Sequence, residues 1–373
     1  MEPNVFFALP YYSGSHKYWA DNIIKYGNHN YHLETMSGRH WKWRMQGSAI
    51  HLSEKYAANS EAFDLVLCST MMDVSLFKSM TNCQVPLVYY MHENQLTYPF
   101  SESDKRLQEN FHYGFINFKS CLAANLILFN SEFHRTDFFN SLEKLLDRLP
   151  DYIDSTGIIE RFYAKSKINY VGLDFSYIDQ VLSSGPLPHL PKKDPTKGPT
   201  LLWSHRWEHD KNPVLFQELL DYLENQNQDF QLILLGADGN ASSIKEDITD
   251  RYKNQVLYSG FAETREDYYK LIKMADLLPV TSIHDFYGLS VLEAVYLGVT
   301  PLLPHNRVYE EFISSVTYPS IYYSEKSNKD LFFKLSELMA NPSFNLSTTF
   351  LNNHHCTQTT AFLEDIFESI LSS

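Results

Sequence analysis

Short apolar runs and longer amphipathic segments alternate along the chain. Val5–Leu9, His32–Met36, Asp64–Cys68, Leu87–Met91 and Asn125–Phe129 each end in a polar loop, and each predicts a strand. Between them, segments with helical period such as Asp104–Ala123 and Ser131–Arg148 predict crossover helices. That alternation is expected of a doubly wound parallel sheet, with Ile168–Val171 as its last strand. From Ser183 to Pro199, five prolines and two glycines mark an exposed connector. The pattern then restarts, with strands expected at Thr200–Trp203, Gln231–Leu235, Val256–Ser259, Leu277–Val280 and Leu302–Leu303. The expected division is an α/β chain of two Rossmann-like domains, 1–182 and 200–347, with a linker at 183–199. The segment 348–373, helix-like over Thr348–Leu371, is expected to pack back on the first domain. Open α/β sheets bind ligands at the carboxyl ends of their strands, so both domains are expected to face a central cleft.

The 373 residues exceed what one core usually organises, in keeping with two domains. Apolar residues at 44% and charged residues at 20% give an ordinary globular composition. A net charge of −14 argues against non-specific coating of nucleic acid but leaves room for a local basic patch. Cys68, Cys83, Cys121 and Cys356 are scattered without metal-ligand spacing and read as thiols in a reducing compartment. His354-His355-Cys356 resembles a metal cluster only superficially, because adjacent positions diverge. Val5–Leu9 is too short for a secretory leader and is followed by Pro10. Nothing approaches the roughly 20 apolar residues of a membrane span, so a cytoplasmic protein with no membrane partner is expected.

The stretch Thr281–Pro301 concentrates the chemistry. A buried strand empties into a polar loop, Gly288 opens an apolar-periodic helix, and Gly298 and Pro301 stop it. Unpaired first-turn amides and the helix dipole make such a place a diphosphate site. Asp285 and Glu293 have no evident work in a core and read as ligands for hydroxyls of a sugar and a ribose. In the same half, Arg206 leaves the tip of the strand Thr200–Trp203 and Lys211 precedes the next helix. A guanidinium and an ammonium at one point suit a leaving diphosphate, which gains charge as its bond breaks.

The order of Arg206-x4-Lys211, the Leu234-Leu235-Gly236 turn, Ser259-Gly260-Phe261 and the pair Asp285-x7-Glu293 resembles the retaining GT-B nucleotide-sugar glycosyltransferases of family four. The resemblance implies a GT-B fold. It also implies Arg206 and Lys211 on the donor diphosphate, Asp285 on the sugar and Glu293 on the ribose. Gly236, Phe286, Tyr287, Gly288 and Leu289 would complete the donor site. This chain carries Asp285 where that family usually has Glu, one methylene longer. A narrower resemblance, to the tRNA-queuosine α-mannosyltransferases, covers almost the whole chain. It rests on Tyr12-Ser13-Gly14-Ser15-His16-Lys17, Trp41-Lys42-Trp43-Arg44, His92-Glu93-Asn94-Gln95-Leu96-x-Tyr98-Pro99, Phe129-Asn130-Ser131, His205–Lys211 and Leu292–Tyr296. It implies transfer of mannose from GDP-mannose to the cyclopentenediol of queuosine in a tRNA anticodon.

On that resemblance the first half is the acceptor domain. Ser13-Gly14-Ser15 forms a tight turn with free amides and hydroxyls, with His16 and Lys17 beside it. His92 follows the strand Leu87–Met91, where a His of similar enzymes contacts the transferred sugar, and Glu93, Asn94 and Gln95 are expected to take acceptor hydroxyls. Arg39–Arg44 is the most basic and aromatic stretch, and Trp41 and Arg44, one helical turn apart, are expected to contact RNA. The expected chemistry is a retaining transfer that needs no cofactor and no metal. His92, Arg206, Lys211 and Asp285 are its catalytic residues, and a nucleotide sugar and queuosine tRNA its partners. Two rival readings are a family-four enzyme acting on a glycan, lipid or small molecule, and a non-catalytic RNA- or sugar-nucleotide-binding protein.

Overall fold

The computed structural model describes residues 2–99, 111–305, 307–342 and 344–372. Residues 104–110 of the helix expected at Asp104–Ala123 lie outside these, and the remainder is helical over His112–Ala123. The chain divides into two compact units, Met1–Leu173 with Asn353–Ser373, and Asp174–Asn352. The division falls ahead of the helix Phe175–Ser183, so that helix and the proline-rich segment both belong to the second unit.

The first unit is built on six parallel strands, β1 (Asn4–Tyr12), β2 (Asn30–Ser37), β3 (Leu65–Ser69), β4 (Leu87–Met91), β5 (Leu126–Phe129) and β6 (Ser166–Ile168), in the order β2-β1-β3-β4-β5-β6. Every residue of β3, β4 and β5 is buried, which is why these strands read as continuous apolar runs. Phe6, Tyr89, Phe129, Phe138 and Phe162 fill one side of the sheet. The last strand is displaced from its expected position at Ile168–Val171. Val171 and Leu173 are buried, but Leu173 pairs with the segment before the C-terminal helix, through Leu173 N to His354 O at 2.7 Å and Cys356 N to Leu173 O at 2.9 Å. A Cβ at Gly172 would lie 2.5 Å from the Cys356 Cα, so only glycine permits this approach.

That C-terminal helix, Cys356–Leu371, is preceded by a 3-10 turn, Thr349–His354. Its Glu364, 5% exposed, accepts hydrogen bonds from Asn28 N (2.6 Å), Asn28 Nδ2 (3.0 Å), His29 N (2.9 Å) and Tyr31 Oη (3.0 Å).

The second unit carries β7 (Thr200–Ser204), β8 (Gln231–Leu235), β9 (Val256–Ser259), β10 (Leu277–Pro279), β11 (Thr300–Pro304) and β12 (Tyr322–Tyr323), in the order β12-β11-β10-β7-β8-β9. Strand order reverses between β7 and β10, as it does between β1 and β3 in the first unit. Such switch points are where open α/β sheets leave room for ligands. Among the described residues no helix is long and apolar enough to cross a membrane.

Replacing Glu364 with Ala strands its donors in a buried place and is expected to lower the unfolding free energy by about 3–5 kcal/mol. Urea denaturation reads the change. Glu364→Gln, which keeps an acceptor, should lose less, and an equal loss in both would point to packing instead.

Candidate functional site

At the switch point of the second unit, β7 ends at Ser204, and the chain passes through His205 and Arg206 to a 3-10 turn, His209–Lys211. The turn is tied to the loop after β10 by Ile283 N to Asp210 O at 2.8 Å and by Thr281 Oγ1 to Lys211 O at 2.8 Å. These two hydrogen bonds hold Lys211 against that loop. Its ammonium lies 2.7 Å from Asp285 Oδ1 and 2.9 Å from Asp210 Oδ2, and it also donates to His284 O at 3.3 Å. Burial works against the Lys211 charge, but Asp285 and Asp210 outweigh it and raise the pKa above its ordinary value. Burial likewise opposes the Asp285 charge, and Lys211 overrides it, holding that carboxyl well below the usual range. Arg206, half exposed, lies 3.2 Å from Glu208 and 3.8 Å from Asp210, so Asp210 bridges the two cations.

The other oxygen of Asp285 accepts a hydrogen bond from Tyr309. Gly288 makes that contact possible. It takes φ +81°, and a Cβ there would fall 2.7 Å from the Tyr309 ring. Gly288 also caps the helix Leu289–Tyr296, which begins four residues after Asp285. Phe286 and Tyr287 are buried, packing on His284 and Phe312. Gly236 ends β8 at φ +107°, where a Cβ would sit 1.9 Å from His205 O. Buried His205 has Nδ1 3.4 Å from Ser290 Oγ, and burial pushes its pKa down to about 4. Glu293 accepts hydrogen bonds from Tyr268 (2.9 Å), Tyr269 (3.0 Å) and Arg265 (3.5 Å), and burial raises its pKa.

The first unit carries a second cluster at the tips of β1, β3 and β4. His16 Nε2 donates to Glu93 Oε2 at 3.0 Å, and Thr70 donates to Glu93 Oε1 at 3.1 Å. The His16 ring lies 4.1 Å from that of His92, which is also walled by Trp19 and Tyr90. Asn130 fixes the His92 carbonyl at 2.8 Å. Burial, reinforced by His16 and His134, lowers the His92 pKa far below its ordinary value, so the imidazole is neutral. Its Nε2 has no hydrogen-bond partner among the described residues.

Glu93 and His16 are thus engaged with each other. Asn94 shapes its own loop by accepting from Leu96 N and Thr97 N, both at 3.0 Å, and Gln95 N donates to Asn117. Ser13 precedes the helix Gly14–Tyr26, whose exposed Lys17 pairs with Asp21 and Tyr12. In the helix Trp41–Ala58, Trp41 packs on Tyr113 beside Met45 and Met71, while Arg44 donates to Ser37 Oγ at 2.9 Å. Sequence reasoning missed Tyr309, Asp210, Thr70 and the Tyr268–Tyr269 pair. Asp210 lies inside a quoted motif and was open to view, whereas Tyr309 arrives from a remote segment and had no local signal.

Comparison with known proteins follows the same two-unit division. Residues 4–173 match the family described as tRNA-queuosine alpha-mannosyltransferase N-terminal, and residues 190–349 match glycosyl transferases group 1. The tRNA-queuosine alpha-mannosyltransferase of Drosophila melanogaster is 30% identical over 328 residues, covering 83% of this chain and 81% of the relative. A GDP-mannose:cellobiosyl-diphosphopolyprenol alpha-mannosyltransferase of Xanthomonas oryzae pv. oryzae is 26% identical over 110 residues, 29% of each chain. Among solved structures, the sucrose-phosphate synthase of Thermosynechococcus elongatus superposes with a TM-score of 0.68 over the full length of both chains at 10% identity.

The depressed His205 pKa has a defined sign. The unfolded imidazole takes up a proton near pH 6.5 and the folded one only near pH 4, so its contribution is complete above 6.5 and is lost between 6.5 and 4. Across that window the stability of the wild type is expected to fall by on the order of 3 kcal/mol more than that of His205→Asn. Denaturant midpoints at the two pH values check this, and parallel curves would contradict it.

Proposed function

The chain belongs to the tRNA-queuosine alpha-mannosyltransferase family and is a glycosyltransferase of GT-B fold, and on that premise we propose that it moves mannose from GDP-mannose to the cyclopentenediol of queuosine in a tRNA anticodon. The observation that carries the donor half is the gathering at a switch point of Arg206 and Lys211 on Asp210, with Lys211 also on Asp285, three residues before the helix start at Gly288. A nucleoside diphosphate leaving group needs such donors. The Drosophila relative's name supports the acceptor, and the Xanthomonas relative's name supports GDP-mannose.

In this reading the bond from the anomeric carbon to the diphosphate oxygen lengthens as Arg206, Lys211 and the helix amides take up the growing negative charge. The acceptor hydroxyl attacks the same face, which retains the configuration, and its proton passes to the departing phosphate oxygen. Two fixed cations and a helix terminus supply the charge, so no metal is required. Asp285, using oxygen lone pairs left over from Lys211 and Tyr309, holds the sugar hydroxyls, and Glu293 serves the ribose. In the first unit, the neutral His92 offers Nε2 to a sugar hydroxyl, with Glu93 and His16 setting its surroundings. The same reading assigns the reaction to the cytoplasm.

The test is incubation of the purified protein with GDP-mannose and either queuosine-containing or queuosine-free tRNA, followed by mass spectrometry of the anticodon nucleoside. Hexosylated queuosine is the expected product, and equal transfer to queuosine-free tRNA would overturn the acceptor. In the same assay Arg206→Ala, which removes a half-exposed side chain, and Lys211→Ala should each slow transfer by about 10²–10³-fold. An unchanged rate in Lys211→Ala would remove it from the mechanism.

A further inference from the structure

The stretch read as an RNA contact exposes one tryptophan and partly buries the other. Trp41 is packed against Tyr113, and Trp43 is 60% exposed. Trp43 is nevertheless held in place. A Cβ at Gly47 would lie 2.6–2.7 Å from indole atoms Cζ2 and Cε2, so the ring covers the bare backbone of the next helical turn. Glycine inside a helix is destabilising, and here it admits a flat ring with its outer surface in water. Ile50, 45% exposed, continues the same stripe one further turn along.

The surroundings are cationic in an acidic chain. No Asp or Glu occurs between Glu34 and Glu54, while Arg39, Lys42 and Arg44 all lie in that interval. Arg39 and His40 are exposed where the helix begins. A Cβ at Gly38 would lie 2.1 Å from the Ser13 Cβ, so the loop carrying Arg39 rests on the turn after β1, at the end of the sheet that holds His16 and His92.

Resting on the proposed tRNA acceptor, we infer that Trp43 is the platform on which one unpaired base of an RNA loop stacks, with Arg39 contacting the neighbouring phosphate. A fixed aromatic ring flanked by cations is the chemistry of single-stranded nucleic-acid binding. A sequence interval so depleted of carboxylates is matched to phosphate, and the overall charge of −14 would otherwise repel it.

The test is titration of the full chain with an unmodified RNA hairpin and with a fully paired RNA of the same length. The wild type should prefer the hairpin. Trp43→Ala should weaken hairpin binding about 5- to 150-fold, Trp43→Phe should recover most of that loss, and Arg39→Ala should reduce the log–log salt slope by about 0.7. Hairpin binding unchanged in both Trp43→Ala and Arg39→Ala overturns the inference. So does a loss of self-association in place of RNA affinity, which would make a second copy the occupant. Wild-type transfer to queuosine tRNA is scored separately, so failure of the activity and failure of the platform give different results.

Discussion

A lysine ammonium enclosed by two carboxylates governs the arrangement of the second unit. Lys211 is 8% exposed, and it stays charged because Asp285 and Asp210 lie within 3 Å of it. Removing these three ions from water is costly, and the cluster is kept only because its geometry is good and its remaining valences are filled. Tyr309 fills one of them on Asp285, which in turn requires a glycine at 288. The left-handed backbone at Gly288 then sets where the next helix begins. Charge, turn and helix start are therefore one construction, located where β7 and β10 part.

The first unit uses the opposite electrostatics at the equivalent end of its sheet. Its imidazoles are packed so that His92 carries no charge, and the carboxylate of Glu93 is occupied by His16 and Thr70. A neutral, partly unsatisfied ring suits hydrogen bonding to hydroxyls, just as a fixed cation suits phosphate. A run of basic residues without carboxylates occupies the start of the helix Trp41–Ala58 and the loop before it, where Trp43 lies over Gly47.

The alternating strands were legible because parallel strands covered on both faces leave contiguous apolar runs, as Leu87–Met91 and Gln231–Leu235 show. The strand expected at Ile168–Val171 begins two residues earlier and ends at Ile168, which stays in the ladder opposite Phe129, whereas buried Val171 and Leu173 lie beyond it, with Leu173 bonded to the segment before the C-terminal helix. Arg206, Lys211, Asp285 and Gly288 could be singled out, since each sits at a strand tip or helix start. Their mutual geometry was not readable, because Tyr309 and the Asp210 bridge are contacts through space. The choice between Trp41 and Trp43 was equally closed to the sequence. Either residue could have faced the core until the start of the helix, at left-handed His40, set its rotation.

Calorimetric titration with GDP and with GMP, on the wild type and on Lys211→Met, probes the diphosphate grip without depending on the acceptor. The wild type is predicted to bind GDP at least about tenfold more tightly than GMP, a preference of about 1.4 kcal/mol, and Lys211→Met to lose that preference while retaining GMP affinity. A GDP preference undiminished in Lys211→Met would contradict the grip.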